Sequence, residues 1–375
     1  MAGQAVSTTL FGPRISLLDV GVGLFVAWGV SLVFSQKKVL LTYSSMFGPF
    51  LIVALFSLFL ALITAPDIVT LASGLYLLRF IVYTLVFPVM MRFSKLEKMR
   101  NLKMLWFAGI SLGIIGLGQY FLYPNLRNLI YQGWDPHQFR VFSTLFDPNF
   151  TAILLLLTLI LGYFLFQKKM LSQLTFYGAS ILVGISFLLT YSRGGYFALI
   201  VCLLSFAWVK RQLKAMLLIG LLFFALVLLP RPHGEGVNLF RTISAEARIT
   251  NIRAGFELWG QHPFFGVGFN TLASYTKNPG TVRSLSHAAQ GFQNSYVFLL
   301  ATTGIVGLLS FGWVGKKLFH SIVQNFRHKE QPAKILLLLS SLALGTHSLF
   351  DNSLFYPYCL FWIMVVLGST VAAED

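Results

Sequence analysis

Arginine is the residue type in this chain best suited to chemistry, and it gathers in one stretch. Between Arg231 and Gln290 lie Arg231, Arg241, Arg248, Arg253, Lys277 and Arg283, against the acids Glu235, Glu246 and Glu257. His233, His262 and His287 share the segment. A guanidinium presents a planar fork of donors that fits phosphate. An imidazole at a water edge titrates close to neutral pH and can take a proton. Together they point to an anionic, phosphate-bearing substrate. Two arginines outside the stretch extend the set. Arg193, in LLTYSRGGYFAL, has no nearby acid in sequence. Arg79 interrupts the apolar run LASGLYLLRFIVYTLVFPVMM, where an arginine costs at least about 2.5 kcal/mol and must face protein or water. Each also has a plainer use: Arg193 as an anchor on lipid headgroups, Arg79 as half of an ion pair.

Other chemistries leave no trace. There is no phosphate-binding Walker loop, no HExxH, no Cys/His metal spacing and no Asp-x-Asp pair. No metal ligand set and no cofactor are expected. Gly266 and Gly268 in HPFFGVGFN lack the third glycine and the preceding strand of a dinucleotide fingerprint. They predict a tight turn that returns the chain to the membrane.

The residues that must position this chemistry are those of a membrane protein. The chain is 56% hydrophobic and 11% charged, where soluble domains carry roughly 25% charged residues. Its net charge of +16 would suit nucleic acid, but the charges sit between apolar runs, which is the pattern of membrane topology. No nucleic-acid partner is expected. Cys202 and Cys359 fall inside apolar runs and give no disulfide framework. The expected fold is all-α: a polytopic transmembrane bundle of about eleven spans with one large extracytoplasmic loop. The spans fall near 16–35, 45–64, 68–91, 102–123, 149–166, 174–191, 194–209, 214–230, 291–313, 333–350 and 353–371. Residues 1–230 then hold spans one to eight, 231–290 the loop and 291–375 the last three.

Loop charge sets the orientation. One set of short loops carries seventeen lysines and arginines, from Lys37 to Lys334. The opposite set, without the long loop, carries Arg14, Arg127, Arg140 and Arg193. Positive charge stays cytoplasmic, so the long loop faces out, as does the N-terminus, which leaves room for a twelfth, preceding helix.

Several elements have readable ends. Asp147-Pro148-Asn149 reads as a helix start, with proline in the first turn and a polar side chain for the free N–H groups. It places Asn149 at the outer mouth of a span. In the loop, SAEARITNIRAGFELWGQHP predicts a helix capped by Ser244 and ended by Gly260 and Pro263. Ile249, Ile252, Phe256 and Trp259 make one apolar stripe on it, so the helix should lie on the bilayer or cover the membrane bundle. Arg248 and Arg253 flank the stripe on opposite sides, so at least one of them is expected to point into a cavity below. Asp19 reads as an interfacial cap. His347 and Asp351, at i and i+4 in THSLFDNS, form a secondary polar pair.

The order of these motifs resembles the O-antigen ligase and polymerase superfamily, multispan bacterial glycosyltransferases with one large periplasmic loop. The resemblance rests on FDPNFTA, SRGG after an apolar run, ARITNIRAGFELWGQHPFFGVGFN, and NSYVFLLATTGIVGLL, and covers about Phe142 to Leu309. It matches Arg193, Arg248 and Asn294 to family positions. Where the family commonly has a histidine beside that asparagine, this chain has Gln293, and His287 is the nearest substitute. The resemblance implies metal-independent glycan transfer from an undecaprenyl-diphosphate carrier to a sugar hydroxyl, on the outer face of the bacterial cytoplasmic membrane. The partners would be that donor, a sugar or lipid-linked acceptor, and membrane lipids. Arg193, Arg248 and His287 would be catalytic, with Arg253, Arg79, Asn294 and Asn149 binding substrate. A repeat-unit polymerase differs from a ligase only in its acceptor. Two other readings are a flippase for lipid-linked sugars, which would carry its charges near the midplane, and a cell-wall glycan polymerase using Glu246 or Glu257.

Overall fold

The computed structural model describes residues 3–9, 14–34, 36–64, 68–132, 134–135, 137–211, 214–229, 232, 237–238, 243–272, 291–327 and 331–371. Helices dominate. They are α1 (Leu17–Phe34), α2 (Lys37–Thr64), α3 (Ile68–Thr84), α4 (Val86–Met91), α5 (Lys95–Leu122), α6 (Pro148–Gln167) and α7 (Gln173–Leu188). They continue as α8 (Arg193–Lys210), α9 (Lys214–Leu228), α10 (Ile243–Gln261), α11 (Ser295–Arg327), α12 (Gln331–His347) and α13 (Pro357–Thr370). Each apolar run picked from the sequence carries helix. Among the described residues, six helical stretches are long and apolar enough to cross a membrane: 37–64, 72–91, 95–122, 148–167, 193–210 and 295–322. Shorter apolar helices accompany them. The all-α expectation misses one feature, a small antiparallel hairpin of β1 (Ser7–Thr9) and β2 (Arg14–Ser16) that leads into α1.

The starts predicted at Asp147 and Asp19 are realised in detail, whereas Ser244, the expected cap of the loop helix, lies inside α10, which begins at Ile243. Asp147 caps α6, its carboxylate accepting from the N–H groups of Asn149 at 2.7 Å and Phe150 at 3.3 Å, with Pro148 in the first turn. Ser192 caps α8 through its hydroxyl and the Gly195 N–H. Asn294 does the same for α11, accepting from Tyr296 and Val297. Asp19 accepts from the Ser16 N–H and hydroxyl at the start of α1.

One arrangement determines where the long loop goes. α11 breaks at Gly304, whose φ of 67° and ψ of −169° are non-helical. The segment after α10 fills the break. Ile305 and Val306 donate to the Pro263 and Phe264 carbonyls, while Val267 and Gly268 donate to those of Ala301 and Thr302. The Ser57 hydroxyl of α2 donates to the carbonyls of Phe265 and Thr302. Backbone groups freed by the break thus keep partners, as a low-dielectric setting demands. Phe269 then seats its ring among Phe50, Phe80, Phe298 and Phe355 in the core. The tight turn expected of Gly266 and Gly268 exists, and it is locked into the bundle. A Cβ on Gly266 would meet the Thr302 backbone at 2.3 Å, and one on Gly304 would meet the Phe264 carbonyl oxygen at 2.1 Å.

Candidate active site

Helix ends bring the expected residues together. Asn149, at the start of α6, accepts from the Ser192 hydroxyl at 3.0 Å and from Arg140 Nη2 at 3.4 Å. Its amide nitrogen donates to Asp351 Oδ1 at 3.4 Å. Arg248 Nη2, on α10, lies 3.5 Å from Asp351 Oδ2. Arg193 is the first residue of α8, directly after the Ser192 cap, and its charge and that of Arg248 act on each other. Gly194 packs beside the Phe350 ring, over which the Arg248 guanidinium lies at 6.0 Å. Asn294 reaches the same loop, donating to the Leu349 carbonyl at 3.0 Å.

The α10 helix explains why Arg248 and not Arg253 joins this centre. The inward face carries Asn251, Gly255 and Arg248. Gly255 sits against Val297, and the Asn251 side chain accepts from the Gln293 N–H at 3.0 Å. Arg253 is about 140° further round a helix of 3.6 residues per turn and is exposed. Arg79 is engaged elsewhere. Its Nε is 2.9 Å from Asp19, and its Nη2 donates to the Arg14 carbonyl. His287 lies outside the described residues.

Residues to which the sequence gives little weight hold the centre in place. Arg140 is 4% exposed, and its Nε and Nη2 donate to the Thr190 and Tyr191 carbonyls. It thereby fixes the bend that presents Arg193. In sequence it was only one more loop arginine. Asp351 proves central where it had looked secondary. It is 6% exposed and joins Asn149 to Arg248, with His347 Nε2 at 3.9 Å. Burial raises its pKa to about 7, helped by the Asp147 charge and opposed by Arg248, Arg140 and the Asn149 hydrogen bond.

The arrangement can bind an anion. Arg140, Arg193 and Arg248 outnumber Asp147 and Asp351, and partial protonation of Asp351 widens the margin. Arg248 Nε is buried and, among the described residues, has no hydrogen-bond acceptor. A buried guanidinium donor without a partner costs free energy unless an acceptor reaches it.

Fold and centre together define a multi-pass helical membrane protein with an arginine–carboxylate cluster where several helix ends meet. Residues 178–312, from α7 into α11, match the family model described as O-antigen ligase. That segment contains Arg193, Arg248 and Asn294, so the resemblance to the O-antigen ligase and polymerase superfamily stands on an independent match. No curated protein matches the chain.

Proposed function

We propose that the chain is a membrane glycosyltransferase that moves a glycan from an undecaprenyl-diphosphate carrier to a sugar hydroxyl on a lipid-anchored acceptor. The observation that carries this reading is the buried, unpartnered Arg248 Nε beside the Arg193 charge. Two guanidiniums held together against their repulsion suit a ligand with two negative centres, and a lipid diphosphate has them. As the anomeric C–O bond breaks, charge grows on the diphosphate oxygen, and donors already aimed at it stabilise that change. His287 is the proposed base for the acceptor hydroxyl, and attack opposite the diphosphate would invert the anomeric carbon. The arginines supply the charge that a metal supplies in other transferases. An apolar cavity of about 540 Å³, lined by Leu17, Phe25, Phe93, Leu105, Tyr358 and Phe361 among others, is suited to part of a lipid chain. Tyr358 of its lining packs against Tyr356 with ring centroids 5.5 Å apart, and the Tyr356 ring stacks at 3.7 Å on Phe150, next to Asn149.

A flippase for lipid-linked sugars accounts for less. Arg79, the charge nearest a midplane position in sequence, is paired with Asp19. The test is transfer by purified protein from a defined undecaprenyl-diphosphate glycan to lipid A core or to a second lipid-linked repeat, without nucleotide. Arg193→Ala and Arg248→Ala are each expected to lower kcat by about 10²–10³-fold. Normal transfer by the double variant would end the proposal, and the acceptor that reacts separates ligase from polymerase.

A further inference from the structure

The long loop does not stay in water. α10 and the outer part of α11 run side by side in constant register. Asn251 meets Gln293, Gly255 meets Val297, Pro263 meets Ile305 and Phe264 meets Val306. Every pair is 42 residues apart. Two segments keep such an offset along their length only when they run parallel, so α10 and the residues that follow it travel inward with α11. The chain then reverses, because Val267 and Gly268 bond to Ala301 and Thr302, nearer the start of α11.

Two rulers give the depth. The apolar stretch of α11 starts at Ser295, and at ~1.5 Å per residue Thr302 lies about 10 Å below that end and Val306 about 16 Å. On α2, Ser57 binds the Phe265 carbonyl and, by the same rise, lies about 10 Å below the outer end at Thr64. The two rulers put the turn at Phe264–Gly266 about 10–16 Å below the outer end, within a hydrocarbon core about 30 Å thick and close to its middle.

At that depth the segment turns apolar side chains outward. α10 buries the side bearing Asn251, Gly255 and Arg248, so its apolar stripe is only half covered by the bundle. Ile252 packs against the core, while Ile249 is 53% exposed and Phe256 48%. Phe264, at the turn, is 66% exposed. Its neighbour Phe265 sits edge-on to Phe56 of α2 at 4.9 Å. Phe56 belongs to an exposed apolar strip on α2 with Ile52, Leu55, Phe59 and Ile63. The outward face of α10 is therefore continuous with that strip.

We infer that residues 255–268 form a re-entrant segment in the outer leaflet, with Phe256 and Phe264 in contact with lipid acyl chains. Non-helical backbone is tolerated at this depth because its polar groups bond to the broken α11 and to Ser57. The same register sets Arg248 a few residues outside Ser295, at headgroup level, where lipid phosphates lie. The inference does not depend on the transfer reaction.

Unmodified protein in vesicles of phosphatidylethanolamine and phosphatidylglycerol, carrying a trace lipid with a diazirine on its acyl chain, gives the test. After photolysis, peptide mass mapping is expected to find adducts on Phe256 to Phe264 as well as on the α2 strip. Adducts on α2 with none on 256–264 would overturn the inference. A second arm places nitroxide labels on Phe264→Cys and Ile249→Cys, with the buried Cys202 and Cys359 making the parent a blank. The label at 264 should be relaxed several-fold more by oxygen than by a water-soluble nickel complex, and the label at 249 less so. Equal access of the nickel complex to both would place the segment in water.

Discussion

The Arg248 guanidinium and the Asp351 carboxylate stand 3.5 Å apart, although 103 residues separate them in sequence. Asp351 also accepts from Asn149, so one carboxylate ties the loop helix to the start of α6. Its pKa is raised from 3.8 to about 7, chiefly by burial. The folded protein therefore holds this proton more tightly than the unfolded chain. The resulting stabilisation is full below about pH 4 and is lost as pH rises through about 7, with a slope of at most about 1.4 kcal/mol per pH unit. Asp351→Asn removes the titration. The wild-type Tm should fall relative to that of Asp351→Asn between pH 5 and pH 8, as followed by intrinsic fluorescence. Parallel curves would show that Asp351 is ionised throughout.

Gly304 and Gly266 are expected to tolerate no side chain. Both have φ of 67°, and a Cβ on either runs into backbone of the other segment. Adding the left-handed penalty of ~1–2 kcal/mol to the overpacking cost of ~1–3 kcal/mol gives a loss of about 2–5 kcal/mol for Gly304→Ala. Gly260→Ala is the control, because nothing stands near its Cβ position. Thermal unfolding and the rate of proteolytic cutting after α10 should change for Gly304→Ala and stay level for Gly260→Ala.

These features were legible in the sequence to different degrees, for physical reasons. The α6 start at Asp147-Pro148 and the end of α10 before Pro263 are local, set by dihedral limits and free N–H groups, and the structure reproduces both. The conjunction of Arg193 with Arg248 came from motif order. Arg140 and Asp351 could not be weighed in the same way, because their importance lies in partners 50 and 103 residues away. The apolar stripe of α10 was readable, but its direction was not. A stripe faces whatever surroundings are apolar, and beside a membrane bundle those include the lipid.

The Arg79–Asp19 pair should matter for stability more than for catalysis. Their side chains are 18% and 13% exposed and 2.9 Å apart, and Asp19 also accepts from the Tyr83 hydroxyl. Breaking a largely buried pair from one side strands the other charge, at about 3–5 kcal/mol. Arg79→Ala should lower Tm markedly, and Arg79→Ala with Asp19→Ala should recover part of the loss. The donor KM of whatever protein remains folded should be unchanged. A raised KM at unchanged Tm would instead make Arg79 a substrate contact.

Arg140 allows positioning to be told apart from contact. It donates to the Thr190 and Tyr191 carbonyls and to Asn149, and Thr190 and Tyr191 are buried. Arg140→Ala leaves their carbonyls short of a partner, at about 1–3 kcal/mol each, and loosens the bend that carries Arg193. Arg140→Lys keeps the charge but not the fork, and one ammonium cannot span acceptors that the guanidinium serves with separate nitrogens. If Arg140 acts through geometry, both variants should raise the donor KM and lower kcat together. If it acts only through its positive charge, Arg140→Lys should restore transfer. A lysine variant as active as wild type would therefore remove Arg140 from the positioning role and leave Asn149 and Ser192 to hold the bend.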